Sequence, residues 1–393
     1  MDFKNYHLVL LCITAFFAMA GGALITPVLP EMVGPLHTTT QGVGMLMSVF
    51  TISTAIFTLI IGQFIDCVNR KKILVTGLVI YGLTGLVSFF LSDVNSLLIM
   101  RFIQGIGVAA ITSLAMLIIG DVYTGIDCVG AMSKISISFA LGSVFAPIIG
   151  GGLATLGWNY AFLFYAISLP FALVVMIILP ETRKQKEMSS HKGTVEALKY
   201  LKDLPILYTI FMGFSIYFLL FAMMIYVPFM LKNEFNFASG VSGIMLAVPG
   251  IACVVMAPKV RYFAARYSLI RVIIAGFILV GLSLLVMPLV PSIIGVFLLL
   301  LLFGLGLVLS QTCIDAQIIQ ISPLEARGGV ISIYSCMRYV GQSFSPIILG
   351  VILAYFGINA VFITAGIFGL LVALMTYRMK IWFDNPNNTY ISE

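Results

Sequence analysis

Charged side chains are scarce in this sequence. Of its 393 residues only 9% are Asp, Glu, Lys or Arg, whereas 61% are hydrophobic. Soluble globular domains carry about 25% charged residues, so this composition excludes a soluble domain as the bulk of the chain. The composition is that of a protein embedded in a membrane.

Two catalytic patterns are also missing. The three histidines, His7, His37 and His191, do not combine with Ser and Asp in a way that is typical of a hydrolase. No GxxxxGK loop that would cradle the phosphates of ATP occurs either. The six cysteines have no paired spacing, so we expect no disulfide, no metal site and no cofactor. These absences argue against an enzyme and against ATP as an energy source.

Long apolar runs are what the sequence has instead. Each is close to the roughly 20 residues that a helix needs to cross a bilayer. Twelve runs predict an all-α polytopic membrane protein with twelve transmembrane helices. They cover about residues 7–28, 41–63, 73–92, 97–119, 132–154, 160–180, 205–230, 240–258, 270–290, 293–315, 328–353 and 359–379.

A polar segment divides these runs into two sets of six. We predict an N-terminal six-helix bundle at about 1–180, a cytoplasmic central loop at 181–204, a C-terminal six-helix bundle at 205–380 and a cytoplasmic tail at 381–393. Cytoplasmic loops carry an excess of Lys and Arg. If both termini face the cytoplasm, all of the 21 Lys and Arg lie on or beside that face except Arg101, Lys232 and Arg338. The net charge of +6 therefore reflects orientation in the cell membrane, and we expect no nucleic-acid partner.

The two halves resemble each other at an offset of 199 residues. Matching small residues and prolines recur at this one offset over two spans. They are Gly105 with Gly304, Gly107 with Gly306, Gly130 with Gly329, Ser133 with Ser332, Ser136 with Ser335, Gly142 with Gly341, Pro147 with Pro346 and Gly151 with Gly350. Parallel six-helix repeats place a substrate site near the bilayer midplane, between the repeats. Helix packing alone explains the glycines singly, but it does not explain the shared offset.

Three segments resemble motifs of the major facilitator superfamily. Between the second and third runs, GQFIDCVNRKK is similar to the family's loop motif at Gly62, Asp66, Arg70 and Lys71, with Cys67 where the family usually has Arg. LLIMRFIQGIGVAA in the fourth run resembles the fourth-helix motif through Arg101, Gln104, Gly105 and Gly107. GSVFAPIIGG in the fifth run resembles a motif associated with drug/proton antiporters through Gly142, Pro147, Gly150 and Gly151, with Ala146 replacing a glycine. The resemblance implies two pseudo-symmetric six-helix bundles in the major facilitator fold.

The loop motif implies a conformational latch. Asp66 follows the C-terminal end of a predicted helix, where its charge opposes the helix dipole, so it needs another partner. The resemblance places that partner at the start of the eleventh span, near Arg327–Gly329, and Arg70 and Lys71 add charge contacts that favour the outward-open state. The alternative is that Asp66 and Lys71 only fix the topology.

The fifth-span motif and its repeat have a mechanical interpretation. Pro147 and Pro346 each remove a backbone donor and favour a kink. Gly142, Gly150, Gly151 and Gly341 let a neighbouring helix approach closely. Helices of this kind are suited to bending and rocking during transport, although packing alone also explains them.

Arg101 is the only charge in the fourth run. Gln104 lies three residues further on, roughly on the same helix face, so that an Arg–Gln pair would line a cavity and contact substrate. A charge within a span usually has a function, and the resemblance assigns this arginine a role in proton coupling. The alternative is that Arg101 extends its guanidinium to the membrane surface.

Proton coupling also calls for a carboxylate. The repeat maps Asp315 to Met116, one turn inside the fourth run, so we expect Asp315 inside the tenth span. Glu31, at the outer end of the first span, is a second candidate that could reach Arg101. Arg338 in the eleventh span either balances Asp315 or contacts an anionic group of the substrate.

The seventh span offers aromatic and thioether side chains for a ligand, and we select Tyr217, Phe221 and Met224 as substrate-contacting residues. Such surfaces adapt to varied ligands. We expect a monomeric transporter whose partners are a small-molecule substrate, protons and the lipid bilayer. A proton-driven exporter of amphipathic compounds is the first hypothesis, and a specific transporter of one metabolite, such as a siderophore, sugar or amino-acid derivative, is the second. A non-transporting membrane sensor is the third.

Overall fold

The computed structural model describes residues 5–64, 69–123, 125–182, 199–200, 202–323 and 327–383. Within these residues the regular structure is helical throughout, with no strand. The helices are α1 (Asn5–Ala23), α2 (Leu29–Met32), α3 (Thr40–Phe64), α4 (Arg70–Phe89), α5 (Val94–Val122), α6 (Gly125–Ala154), α7 (Tyr160–Ala166), α8 (Ser168–Ile178), α9 (Leu204–Phe235), α10 (Ser239–Tyr267), α11 (Leu269–Val286), α12 (Ile293–Ile321) and α13 (Arg327–Phe383).

Eleven segments of the described chain are long and apolar enough to cross a membrane. The last of them, Gly329–Lys380, has 52 residues, far more than the roughly 20 that span a bilayer. It is interrupted at Gly357, where φ is 79° and ψ is 177°, a backbone conformation that glycine adopts readily. This segment therefore holds two spans, in agreement with the twelve that the sequence predicts, and the predicted all-α polytopic fold is confirmed.

The described residues form two compact units. The first comprises Met1–Ser189 and Leu231–Ala247, and the second comprises Ser190–Met230 and Val248–Glu393. Helices α9 and α10 each have one part in each unit. The domain boundaries given from the sequence stay a prediction.

The internal repeat is visible in how helices cross within each unit. A Cβ atom at Gly107 of α5 would lie 2.7 Å from the carbonyl oxygen of Gly77 on α4. In the second unit a Cβ atom at Gly306 of α12 would lie 2.7 Å from the carbonyl oxygen of Gly276 on α11. Both pairs are related by the offset of 199 residues, so the same close crossing, which only glycine permits, occurs once in each unit.

The same offset relates the starts of two helices. Asp93 caps α5, since its Oδ1 accepts a hydrogen bond of 2.9 Å from the backbone N–H of Ser96. Ser292 caps α12, since its Oγ accepts one of 3.1 Å from the backbone N–H of Gly295. Side chains of this kind satisfy the free amides at a helix N-terminus. Helix starts and helix crossings thus repeat together.

Candidate functional site

Three helices of the second unit bring five polar side chains together, here called the Asp315 cluster: Tyr217 on α9, Gln311 and Asp315 on α12, and Tyr334 and Arg338 on α13. The hydroxyl of Tyr334 donates to Asp315 Oδ1 at 2.6 Å, and Arg338 Nη1 lies 3.4 Å from the same oxygen. Arg338 Nη2 donates to the hydroxyl of Tyr217, which also accepts a hydrogen bond of 2.8 Å from Gln311 Nε2. The cluster thus joins a carboxylate, a guanidinium and two phenols.

Helical spacing builds this cluster. Gln311 and Asp315 are four residues apart on α12, and Tyr334 and Arg338 are four residues apart on α13, so each pair lies on one face of its helix. α12 continues to Ile321, which places Asp315 inside the helix, as expected from the repeat. The structure also brings Arg338 to Asp315, one of the two positions considered for it.

The cluster is only partly buried. The side chains of Arg338 and Asp315 are 25% and 38% exposed, whereas Tyr217 and Tyr334 are buried. The guanidinium of Arg338 also lies over the ring of Tyr217, 4.3 Å from its centroid, and 5.5 Å from that of Tyr334. Cation–π contacts of this kind add to the electrostatic attraction. The arrangement places a carboxylate beside a guanidinium, which stays charged in proteins, and the role of Asp315 in proton coupling stays a prediction.

Of the three side chains selected on α9, the structure brings only Tyr217 into this cluster. Phe221 and Met224 are buried, at 6% and 8% exposure, and their contact with substrate stays a prediction. Sequence reasoning missed Gln311 and Tyr334. The signal that was available is their spacing of four residues from Asp315 and Arg338, which places them on the same helix faces.

Arg101 is the centre of a second, fully buried cluster, in the first unit. Its Nη1 donates to the carbonyl oxygen of Gly21 at 3.2 Å and to Gln104 Oε1 at 2.7 Å. Its Nη2 lies 3.5 Å from the hydroxyl of Tyr165, which itself donates to the Gly21 carbonyl at 3.0 Å. The predicted Arg–Gln pair is therefore present, and it ties α5 to the last turn of α1.

The surroundings of Arg101 are aromatic and uncharged. The guanidinium lies 5.5 Å from the ring centroid of Phe50, 5.3 Å from that of Phe162 and 5.4 Å from that of Tyr165. Arg101 has 0% exposure, which excludes the alternative that it reaches the membrane surface. Its hydrogen bonds among the described residues all go to neutral acceptors. A guanidinium does not release its proton in proteins, so its role in proton coupling stays a prediction.

Glu31 takes part in a second cluster of the first unit, and its ion pair with Lys232 is here called the outer pair. Its Oε2 lies 2.8 Å from Lys232 Nζ, and its Oε1 accepts a hydrogen bond of 3.0 Å from Ser239 Oγ. Lys232 also donates to the carbonyl oxygen of Pro30 at 2.9 Å. The structure therefore joins Glu31 to the segment Leu231–Ala247 and not to Arg101.

The glycines of α6 pack as predicted. A Cβ atom at Gly150 would overlap the carbonyl oxygen of Leu24, and one at Gly151 would overlap that of Ser239. Gly142 faces α1, where a Cβ atom would lie 2.8 Å from Met19 Cβ. Its repeat partner Gly341 abuts the Phe214 carbonyl on α9 in the second unit. Pro147 and Pro346 lie inside α6 and α13, and a rocking role for these helices stays a prediction.

The loop motif is only partly described. Gly62 lies near the end of α3, and Asp66 lies outside the described residues. The backbone N–H groups of Arg70 and Lys71 donate to Glu181 Oε1 and Oε2, each at 3.2 Å. A carboxylate is favourable at a helix N-terminus, where free amides and the helix dipole attract an anion. Glu181, which sequence reasoning assigned only to the central loop, thus caps α4.

These features define a polytopic membrane transporter. The model of the Major Facilitator Superfamily matches residues 11–314 and 221–390, and the chain belongs to this family. The bacillibactin exporter of Bacillus subtilis (strain 168) is 28% identical over 343 residues, with 83% of this chain and 84% of the relative covered. Multidrug resistance protein 1 of the same organism is 27% identical over 371 residues, with 90% and 91% covered.

A solved structure supports the fold. The crystal structure of a bacterial homologue of the human lysosomal transporter Spinster has a TM-score of 0.82 and covers 99% of both chains, at 15% sequence identity. At that identity the likeness shows the fold alone. Together with the family match it identifies a multi-pass membrane protein that transports small molecules.

Proposed function

We propose that this chain exports small amphipathic compounds in exchange for protons by alternating access. The observation that carries the proposal is the pairing of Asp315 with Arg338 at 3.4 Å inside two apolar helices. Ionisable residues inside spans are costly and usually mark a transport path. The multidrug resistance relative supports export of varied compounds.

The geometry suggests how a proton drives the cycle. Ionised Asp315 attracts Arg338 and accepts the hydrogen bond of Tyr334, which holds α12 to α13. Protonation removes the charge, and the attraction between the helices falls. Arg338 and Tyr217 are then free to bind a polar group of the substrate, while Phe221 and Met224 contribute apolar contacts. Release of the proton to the cytoplasm restores the pair.

The outer pair and the loop motif act as locks in this proposal. Glu31 and Lys232 hold Leu231–Ala247 against the rest of the first unit, and Gly151 lets the backbone at Ser239 meet α6 there. Gly62, Asp66, Arg70 and Lys71 form the latch for the cytoplasmic side. The protein acts as a monomer in the cell membrane, with both termini in the cytoplasm.

Export of a single metabolite is the second candidate. It is favoured by the relative that is named as a bacillibactin exporter, 28% identical over 83% of this chain, and by the partly exposed guanidinium of Arg338, which fits an anionic group. This candidate predicts a narrow substrate range and transport that fails without the charge of Arg338.

Transport by the purified protein in liposomes separates the two candidates. A pH gradient is imposed, and the movement of a fluorescent lipophilic amine is compared with that of a neutral dye. Movement of both dyes against the proton flow supports polyspecific export. Movement of neither dye, together with a metabolite that does move, contradicts polyspecific export and favours the second candidate. Transport that ignores the pH gradient contradicts proton coupling.

A further inference from the structure

A groove lies where α10 and α11 meet in the second unit. Only Ser268, with φ of 77°, separates the two helices, so they turn sharply there. The groove has a volume of about 340 Å³. It is lined by Met256, Phe263 and Tyr267 of α10, by Arg271 and Ala275 of α11, and by Leu309 of α12.

The groove is apolar along its length and cationic at the end nearest the turn. Arg271 stands in the first turn of α11, and Ala275 lies one turn further into the span. Phe263 and Met256 are seven residues apart on α10, which corresponds to about 10 Å along the helix axis. Tyr267, Arg271 and Ala275 are exposed, so the groove opens to the side of the bundle.

Four cations lie within nine residues of this turn in the sequence, without an acidic neighbour. They are Lys259, Arg261, Arg266 and Arg271, and no Asp or Glu occurs between Glu234 and Asp315. Arg266 Nη1 donates to the hydroxyl of Tyr262 at 2.7 Å, and its guanidinium lies 5.5 Å from the ring centroid of Tyr267. In the part of the chain that the structure describes, neither Arg266 nor Arg271 forms an ion pair.

The acid of the loop motif has no counterpart at this turn of the internal repeat. At the offset of 199 residues, Lys72 of the loop motif maps to Arg271, and Asp66 maps to Ala265. The second copy therefore keeps one of the three cations, since Arg70 and Lys71 map to Leu269 and Ile270, and it lacks the carboxylate. Among the described residues no carboxylate is paired with Arg271, so an anionic ligand could meet its charge.

We propose that this groove binds an anionic phospholipid. The phosphate lies between Arg266 and Arg271, and one acyl chain fills the groove between Phe263, Ala275 and Leu309. Basic pockets between helices at the cytoplasmic side bind anionic headgroups, and the predicted orientation places this turn at that side. A soluble anion would leave the apolar groove empty, so the combination of cations and groove fits a lipid.

Two kinds of variant test the proposal. R266Q/R271Q removes the cations, and Ala275→Phe fills the groove without changing any charge. Arg378→Gln is the matched control, because Arg378 is an exposed cation near the end of α13, a helix that contributes no residue to the groove. Lipids that stay bound to the purified protein are counted by native mass spectrometry after incubation with phosphatidylglycerol or phosphatidylcholine. Thermal unfolding is followed in parallel.

The wild type and Arg378→Gln are expected to prefer phosphatidylglycerol. A cation near an anionic membrane surface contributes a factor of roughly five, so two arginines give a preference of roughly 30-fold. R266Q/R271Q loses the preference, and Ala275→Phe loses the bound lipid, while both unfold at the wild-type temperature in phosphatidylcholine.

Three results would overturn the proposal. Equal binding of phosphatidylglycerol and phosphatidylcholine by the wild type would show that the groove does not recognise the anionic headgroup. An undiminished preference in R266Q/R271Q places the site elsewhere. Stabilisation of the wild type by soluble glycerol phosphate to the same extent as by phosphatidylglycerol, with Ala275→Phe unaffected, identifies a free phosphate site and not a lipid site.

Discussion

Asp315→Asn is the substitution that bears most directly on proton coupling. Asparagine keeps the shape of the side chain and an oxygen that accepts the 2.6 Å hydrogen bond from Tyr334. It removes the charge that attracts Arg338 at 3.4 Å. At that distance two unit charges attract by about 5 kcal/mol at an effective dielectric constant of 20 and by about 1 kcal/mol in water.

The exposure of the two side chains to solvent sets where in this range their attraction lies. Because the two side chains are 25% and 38% exposed, screening brings the attraction to about 1–3 kcal/mol. A coupling free energy of that size changes an equilibrium by roughly 5- to 150-fold. Protonation of Asp315 is thus strong enough to shift the balance between two arrangements of α12 and α13, and the asparagine variant is fixed in the state that resembles the protonated one.

The assay in proteoliposomes compares accumulation of substrate against its gradient with exchange of substrate across the membrane. With a pH gradient, Asp315→Asn is expected to lose accumulation of substrate against its gradient and the associated proton movement. Exchange of labelled for unlabelled substrate, which needs no net proton transfer, is expected to continue. Asp315→Glu keeps a carboxylate and is expected to retain part of the uphill transport.

Asp93→Asn is the matched control. The hydrogen bonds that Asp93 accepts from the side chain and backbone of Ser96 lower its pKa, so this loop acid stays ionised across the pH range of the assay. Asparagine caps a helix as well as aspartate does, so uphill transport should be unchanged. Full proton-driven accumulation by Asp315→Asn would refute the assignment of the proton to Asp315, and equal loss in both variants would show only a general sensitivity to acid-to-amide changes.

Three further substitutions test the other contacts. Arg338→Lys keeps the charge but loses the planar guanidinium that reaches Asp315 and Tyr217 together. The initial transport rate should therefore fall, while the unfolding temperature stays near that of the wild type. An unchanged transport rate would contradict a role for the guanidinium geometry. Glu31→Lys and Lys232→Glu should each impair transport, and the variant that carries both changes should transport again. A double-mutant cycle on the transport rate measures this coupling. Additive losses would contradict a functional contact between the two residues of the outer pair. Glu181→Gln should reduce the free energy of unfolding by about 0.3–1 kcal/mol, because a charge at the α4 N-terminus is lost. The measurement is a lower unfolding temperature. An unchanged unfolding temperature would show that the Glu181 cap contributes little to stability.

The spans and the repeat were predictable because they depend on local properties of the sequence. The length of an apolar run sets whether it crosses a bilayer, and Asp315 and Arg338 stood out because they interrupt such runs. The contacts of these residues depend on how helices are rotated about their axes. Glu31, for example, was considered as a residue that could reach Arg101, but its partner Lys232 lies 201 residues away in the sequence.

Glu181 shows the same limit for a loop residue. Its carboxylate meets the α4 N-terminus from 111 residues further along the chain, and nothing in its own surroundings indicates that. Tyr334 is closer, 19 residues from Asp315, but a tyrosine in a span is common as a packing residue. Its hydrogen bond to Asp315 depends on how α12 is rotated against α13.

The two repeats share the residues that let helices cross closely, but they do not share their ionisable residues. The crossings at Gly77 with Gly107 and at Gly276 with Gly306 are the same in both units, whereas the ionisable residues are not. At the offset of 199 residues, Arg101 maps to Leu300, and Asp315 and Arg338 map to Met116 and Phe139. The first unit therefore holds the Arg101 guanidinium among neutral acceptors, whereas the second places a carboxylate beside a guanidinium. If Asp315 carries the proton, as proposed, the charge that changes during the cycle lies in the second unit, and the contacts between α12 and α13 are the ones that should respond to it.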